Sequence, residues 1–106
     1  MVTAEQIRSG KVLAEQAGLK MYQQVGERDA CGFGWVEVYV DRTNSKQAKE
    51  LIAAGFRKDY KPKCLSMWDP AGVPTQSISV KEAGAYAYAE YLSSLGLKAY
   101  AGSRLD

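Results

Sequence analysis

The fold is decided by one alternating stretch near the middle of the chain, FGWVEVYV, residues 33–40. A period of two is typical of a β-strand, because successive side chains point to opposite faces of a sheet. One face of this strand carries three valines, and the opposite face carries Phe33, Trp35, Glu37 and Tyr39. We therefore predict a strand with one aliphatic face and one mainly aromatic face.

A short helix and a hairpin are predicted to follow this strand. The capping signal Asn44-Ser45-Lys46-Gln47 predicts a helix over residues 45–54, whose short apolar face Gly55 ends because glycine tolerates a left-handed backbone. Two β-compatible runs, residues 56–60 and 64–68, are joined by Lys61-Pro62-Lys63. Proline favours a bend and donates no hydrogen bond to a sheet, so this segment predicts a hairpin connection.

Capping patterns also mark the two longer helices. The sequence S-V-K-E at residues 79–82 is a capping box with Ser79 as the predicted cap, and the helix that it starts is expected to run from about Val80 to Leu95. Residues 97–101 alternate again and predict a last strand. At the start of the chain, T-A-E-Q predicts a further helix, which we expect to fray between Gly18 and Gly26.

The element order predicts an α+β fold of the ferredoxin-like class. Residues 31–106 read as strand, helix, strand, strand, helix, strand, the split βαβ sandwich (βαββαβ), and residues 1–26 precede it as a helix and linker. All 106 residues then form a single domain. Such a sheet has helices on one face only, so we expect the N-terminal helix to cover the aromatic face; the alternative is an open platform on which bases stack.

Composition indicates an ordinary globular protein. Hydrophobic residues make up 46% of the chain and charged residues 25%, values that argue against disorder, collagen-like repeats and coiled coils. No segment approaches the roughly 20 apolar residues of a membrane helix, and the first ten residues lack the apolar core of a secretion signal. We expect a cytoplasmic protein with no membrane partner.

The chain contains no histidine, which is its most useful negative feature. Histidine is the commonest general base near neutral pH and the commonest transition-metal ligand, so Ser-His and Cys-His catalysis are excluded. The two cysteines, Cys31 and Cys64, are too few for a disulfide framework or a paired Cys-x-x-Cys metal site. We predict two reduced thiols, on neighbouring strands that would allow them to approach each other, and no cofactor, metal or enzymatic activity. Lys63 beside Cys64 is expected to lower the pKa of that thiol if both are exposed.

Three motifs together resemble a family of small bacteriophage-encoded proteins with no assigned activity. They are the opening C-G-F-G-W-V at residues 31–36, Q-S at 76–77 followed by K-E-A at 81–83, and the ending S-R-L-D at 103–106. The resemblance implies a phage or prophage origin, hence the cytoplasm of an infected or lysogenic bacterium, and it supplies no functional residues. The chain departs from the family at residues 57–63, which are more basic than the family's glycine-containing turn.

The opening also resembles the octapeptide of RNA-recognition-motif domains, in which aromatic residues two apart stack on bases. Phe33 and Trp35 have that spacing, but Cys31 replaces the basic first residue and Val38 the last aromatic one. In those domains the octapeptide also lies on the third strand rather than the first. The net charge is only +2. Most of the excess positive charge lies in the middle of the chain, where it is either a surface that follows phosphates or an ordinary solvated face.

These observations lead to three candidate functions. The first is a non-catalytic accessory protein that binds an unknown protein partner or forms a homodimer. The second is a single-stranded nucleic-acid binder, and the third is a small ligand-binding domain or an enzyme without histidine chemistry. The candidate residues for binding nucleic acid or a partner are Phe33, Trp35, Tyr39, Lys46, Arg57, Lys58, Lys61, Lys63 and Arg104.

Overall fold

The computed structural model describes residues 1–106 and confirms the α+β class. It contains three helices and one sheet of four strands. In chain order the elements are α1 (Ala4–Val25), β1 (Gly32–Tyr39), α2 (Lys46–Ala53), β2 (Arg57–Lys58), β3 (Cys64–Trp68), α3 (Ile78–Ser94) and β4 (Lys98–Leu105). The alternating stretch quoted above is the strand β1, as its period of two predicted.

The sheet has the strand order β2-β3-β1-β4, and each neighbouring pair is antiparallel. The strand β1 is central: it pairs with β4 along its whole length and with β3 from Trp35 to Tyr39. The predicted hairpin is confirmed, because β2 and β3 pair with each other, although β2 is only two residues long. Trp35 lies directly between Trp68 of β3 and Gly102 of β4.

The core lies on the aliphatic face of the sheet, under α2 and α3. Val36 and Val38 are fully buried there, together with Leu65 of β3 and with Leu51 and Leu92 of the helices. Burial of side chains of this size stabilises a fold by about 1.5–3 kcal/mol each relative to leaving them exposed. This cluster includes no aromatic residue of β1.

The helix α1 does not cover the aromatic face of the sheet, so that expectation is wrong. It packs on α3 and, at one end, on α2, and therefore forms an outer layer on the helical side. The buried Tyr88 hydroxyl of α3 donates a 2.8 Å hydrogen bond to the Ile7 carbonyl of α1. The small residues of α1 explain the preference: a Cβ at Gly10 would overlap the Tyr88 ring, and Gly18 lies against Ala71. The small residues thus let α1 fit closely onto α3 at Gly10 and onto the β3–α3 connection at Gly18.

Three predicted boundaries need correction. The helix α1 stays continuous to Val25 instead of fraying after Gly18, because Gly18 is buried by close packing. The strand β4 continues to Leu105 instead of ending at Ala101, because β1 supplies partners along that length. The third correction concerns the start of α3.

Ser77, and not Ser79, caps α3. The Ser77 hydroxyl accepts a hydrogen bond from the Val80 amide and donates one of 2.7 Å to Asp29. Asp29 also accepts a 2.7 Å hydrogen bond from the Ser79 amide, so the carboxylate occupies the helix N-terminus. The capping-box pattern is local, whereas Asp29 lies far away in sequence, and this tertiary contact moves the cap by two residues.

The two cysteines are free, as predicted, but they do not lie near each other. Cys31 precedes the first residue of β1, whereas Cys64 pairs with Tyr39 at its other end. Cys31 is exposed and Cys64 is buried. Burial raises the pKa of the Cys64 thiol, and the exposure on which a lowering by Lys63 depended is not present. None of the three helices has the length and apolar character needed to cross a membrane.

Candidate functional site

The sheet face opposite the helices, here called the open face, has no helix packed on it. Strand alternation and register place on it the side chains that project away from the valine core. Its main members are Phe33, Trp35, Glu37 and Tyr39 from β1, Trp68 from β3, and Tyr100 and Arg104 from β4. The aromatic residues that β1 was predicted to carry therefore reach solvent.

Three rings on the open face touch one another and form what we call the aromatic platform: Phe33, Trp35 and Trp68. The Trp35 and Trp68 rings are stacked, with centroids 4.6 Å apart and planes inclined by 23°. Phe33 meets Trp68 edge to face, with centroids 6.0 Å apart. A Cβ at Gly102 would overlap the Trp35 indole, so glycine at this position lets the ring lie close against β4.

The platform remains accessible from solvent. Trp68 is 50% exposed, while Phe33 and Trp35 are partly buried by their neighbours. A second aromatic pair lies further along β1, where Tyr39 meets Tyr100 edge to face at 6.0 Å and Tyr100 is 58% exposed. Exposed rings of this size offer flat apolar surface to a ligand, because folding has not used that surface in the core.

A buried carboxylate holds the two aromatic groups together. Glu37 is only 8% exposed, although it lies on the open face. Its carboxylate accepts hydrogen bonds from the Trp35 indole nitrogen at 2.7 Å and from the Tyr39 hydroxyl at 3.0 Å, and it pairs with the Lys61 ammonium at 2.7 Å. These three charge-assisted contacts fix the orientation of both rings.

The same contacts keep Glu37 ionised. Burial acts to raise the pKa of Glu37, but the hydrogen bonds from Lys61, Trp35 and Tyr39 outweigh it, so the pKa lies below its ordinary value. The hydrogen bond to Glu37 raises the pKa of Lys61 and likewise that of Tyr39. The pair is therefore charged at neutral pH, and Lys61 acts mainly as the partner of Glu37.

The structure places some of the predicted basic residues around the platform. Arg104 lies over the Phe33 ring, with its guanidinium carbon 5.1 Å from the ring centroid. Arg57 of β2 pairs with Ser66 of β3, and Ser66 pairs with Glu37. The exposed side chain of Arg57 therefore lies on the open face, at the β2 edge of the sheet. A recess of about 490 Å³ beside Trp68 is lined partly by Arg57, Lys58, Asp59 and Tyr60. Arg57 and Arg104 thus border the rings at opposite edges of the sheet, and the acidic Asp59 lines the same recess as Arg57.

Three other predicted residues lie away from the platform. Lys46 is the first residue of α2, on the helical side. Lys58 pairs with Leu65, whose side chain enters the core, so alternation directs Lys58 away from the open face. Lys63 is exposed in the turn before β3, with a positive φ of 58°.

Sequence reasoning missed two residues of this surface, Trp68 and Tyr100, and did not place Lys81 beside it. For Trp68 and Tyr100 the signal was present, because both lie in runs that were predicted to be strands. What the sequence alone does not show is the register of the strands, which places Trp68 opposite Trp35. Lys81 belongs to α3, yet its ammonium lies 5.5 Å from the centroid of the Phe33 ring.

A groove of about 1020 Å³ lies elsewhere, between α1, α3 and β4. It is half apolar in its lining, and Tyr86 on its wall is 67% exposed. No group of three or more Cys, Asp or Glu side chains is arranged to hold a metal ion. No protein-family model, curated protein or solved structure matches the chain.

Proposed function

We propose that this protein is a non-catalytic binding module whose open face binds single-stranded nucleic acid. The observation that carries the proposal is the stacked Trp35–Trp68 pair on a helix-free sheet face, where Trp68 is 50% exposed. Flat rings at this position suit unpaired bases, because every base has a face that stacks on an aromatic side chain. Stacking of this kind contributes about 1–3 kcal/mol per base.

The charges around the platform support the same ligand. Arg57 at one sheet edge and Arg104 at the other flank the rings, while Glu37 is neutralised by Lys61. A strand that crosses the sheet would place bases on the rings and phosphates near the arginines. The net charge of +2 predicts few phosphate contacts and moderate affinity, with limited sequence preference.

The fold and the setting are part of the proposal. The order β2-β3-β1-β4 places β3 between β1 and β2, and β1 between β3 and β4. This interleaving supports a ferredoxin-like split βαβ assignment, in which one sheet face stays free of helices. The resemblance to small phage proteins supports an accessory role in the cytoplasm of an infected or lysogenic bacterium, where single-stranded intermediates of replication and transcription are present.

The test is a titration of a fluorescently labelled single-stranded oligonucleotide, followed by anisotropy, with DNA and RNA versions of equal length. We expect wild-type protein to bind, and Trp68→Ala to weaken binding by about tenfold or more, which corresponds to losing one stacked base. The matched control is Tyr86→Ala, which removes an exposed ring from the groove instead of the platform. Equal affinities for Trp68→Ala and wild type would refute the proposal.

A second copy of the chain or another protein is the competing occupant of the open face, because exposed rings also favour protein contacts. Light scattering of the free protein separates the two. A monomer whose mass increases only with oligonucleotide supports nucleic-acid binding. A stable dimer that Trp68→Ala dissociates would instead assign the face to self-association.

A further inference from the structure

Two cations lie against the same aromatic ring at the end of the platform. The Arg104 guanidinium carbon is 5.1 Å from the Phe33 centroid, and the Lys81 ammonium is 5.5 Å from it. Both distances fall within the roughly 6 Å range of a cation–π contact. Lys81 comes from α3, so its ammonium reaches the ring from the helical side of the molecule, whereas Arg104 belongs to β4.

Neither cation has an acidic partner. The ion pairs of the protein are Lys11–Glu15 and Lys61–Glu37, and neither includes Lys81 or Arg104. Nearby Glu82 instead accepts a hydrogen bond of 2.6 Å from Ser103. Lys81 is only 8% exposed as a residue, but the buried part is its stem, and its ammonium remains accessible to solvent. An accessible cation without an acidic partner is free to bind an anion.

We propose that Lys81 and Arg104, together with the Phe33 ring, form a binding subsite for one phosphate group of the nucleic-acid strand. The inference rests on the function proposed above and names the point where the backbone is held. The Phe33 ring carries no net charge and so neutralises neither cation, and in this proposal a phosphodiester lies beside the ring, where it contacts both. Arg104 supplies a planar fork suited to phosphate oxygens, and Lys81 supplies a point charge.

The subsite does not depend on the N-terminus of α3. Asp29 already occupies that position, where it accepts hydrogen bonds from Ser77 and from the Ser79 amide. A phosphate near Lys81 is therefore held by side-chain charge, and the free helix amides contribute little. This predicts that binding at the subsite responds to the loss of either cation.

The experiment measures how oligothymidylate and oligocytidylate binding depends on salt for wild type, Lys81→Met and Arg104→Gln. Methionine keeps an apolar stem at position 81, and Arg104 is exposed, so both variants are expected to fold. Each variant should make the plot of log affinity against log salt less steep by about 0.7, the value for one phosphate contact on a single strand. Each should weaken the binding of both oligonucleotides by the same factor. Lys46→Met, on α2, is the matched control and should leave the slope unchanged.

A second measurement keeps this inference separate from the proposed function. Inorganic phosphate is titrated into the protein and followed by NMR at the backbone amides of Phe33 and Arg104. Saturable shifts that disappear in Arg104→Gln support the subsite even if no oligonucleotide binds. Oligonucleotide binding with unchanged salt slopes in both variants would overturn the subsite alone. Absence of saturable phosphate shifts, in a protein that binds no oligonucleotide, would overturn both.

Discussion

Asp29 holds the N-terminus of α3 in place, although it lies outside that helix. It accepts hydrogen bonds from the Ser77 hydroxyl and the Ser79 amide, both at 2.7 Å. A carboxylate at this position also interacts favourably with the positive end of the helix dipole. One residue in the α1–β1 connection therefore anchors α3, which contributes Tyr88 and Leu92 to the core.

Replacement of Ser77 by alanine tests the cap directly. Ser77→Ala removes the acceptor for the Val80 amide and the donor to Asp29, so we expect a loss of about 1 kcal/mol in the free energy of unfolding. Ser79→Ala keeps the backbone donor and should cost less. Chemical denaturation of both variants gives the comparison, and a larger loss for Ser79→Ala would return the cap to Ser79.

Asp29 also makes stability depend on pH. The hydrogen bond from Ser77, followed by that from the Ser79 amide, lowers the pKa of Asp29 from 3.8 to about 2. A group whose pKa is lower in the folded state stabilises the fold above its unfolded pKa, and this contribution disappears as the pH falls through the folded pKa. Asp29→Asn should therefore show a smaller loss of melting temperature than wild type between about pH 4 and pH 2. Parallel melting curves across that window would contradict the assignment.

At the scale of elements, the position of α1 decides which surface the protein offers. The helix joins the helical side through small residues that fit against α3, so it leaves the aromatic face uncovered. Its contact with α3 includes two tyrosine hydrogen bonds of 2.8 Å, from Tyr88 to the Ile7 carbonyl and from Tyr91 to the Gln6 carbonyl.

These two tyrosines provide a matched test of the packing of α1. Tyr88→Phe leaves a buried carbonyl without this donor and should lower the free energy of unfolding by about 1 kcal/mol. Tyr91→Phe removes a solvent-exposed hydrogen bond and should cost clearly less. Thermal or chemical unfolding measures both. If neither substitution changed stability, the packing of α1 on α3 would be in doubt.

Elements with a strong local pattern were predictable, and contacts between distant elements were not. The period of two in β1 and the capping signal of α2 at residues 44–47 gave both elements to within a residue of their ends. The covering of the sheet by α1 and the Ser79 cap were wrong, because each depends on a tertiary neighbour that sequence spacing does not show. Part of the platform was predictable: alternation along β1 put Phe33 and Trp35 on one face. The place of Trp68 beside them depends on the β1–β3 register.

At the scale of the whole molecule, the two faces of the sheet have different roles. The valine face carries the core and the helices, while the opposite face keeps its rings near solvent. Exposed aromatic surface of this kind lowers solubility and contributes little to the core, so its presence fits a ligand-binding role. The hydrogen bonds to Glu37 hold Trp35 and Tyr39 in place before a ligand arrives, which reduces the entropy lost on binding.

Tryptophan fluorescence gives the most direct test of the open face as a nucleic-acid binding surface. The chain contains two tryptophans, and both Trp35 and Trp68 belong to the platform, so the whole tryptophan emission reports on this surface. Stacked bases should quench that emission, and titration with an unlabelled single-stranded oligonucleotide should give saturable quenching that high salt reverses. Emission that stays constant through the titration at low salt would contradict the account.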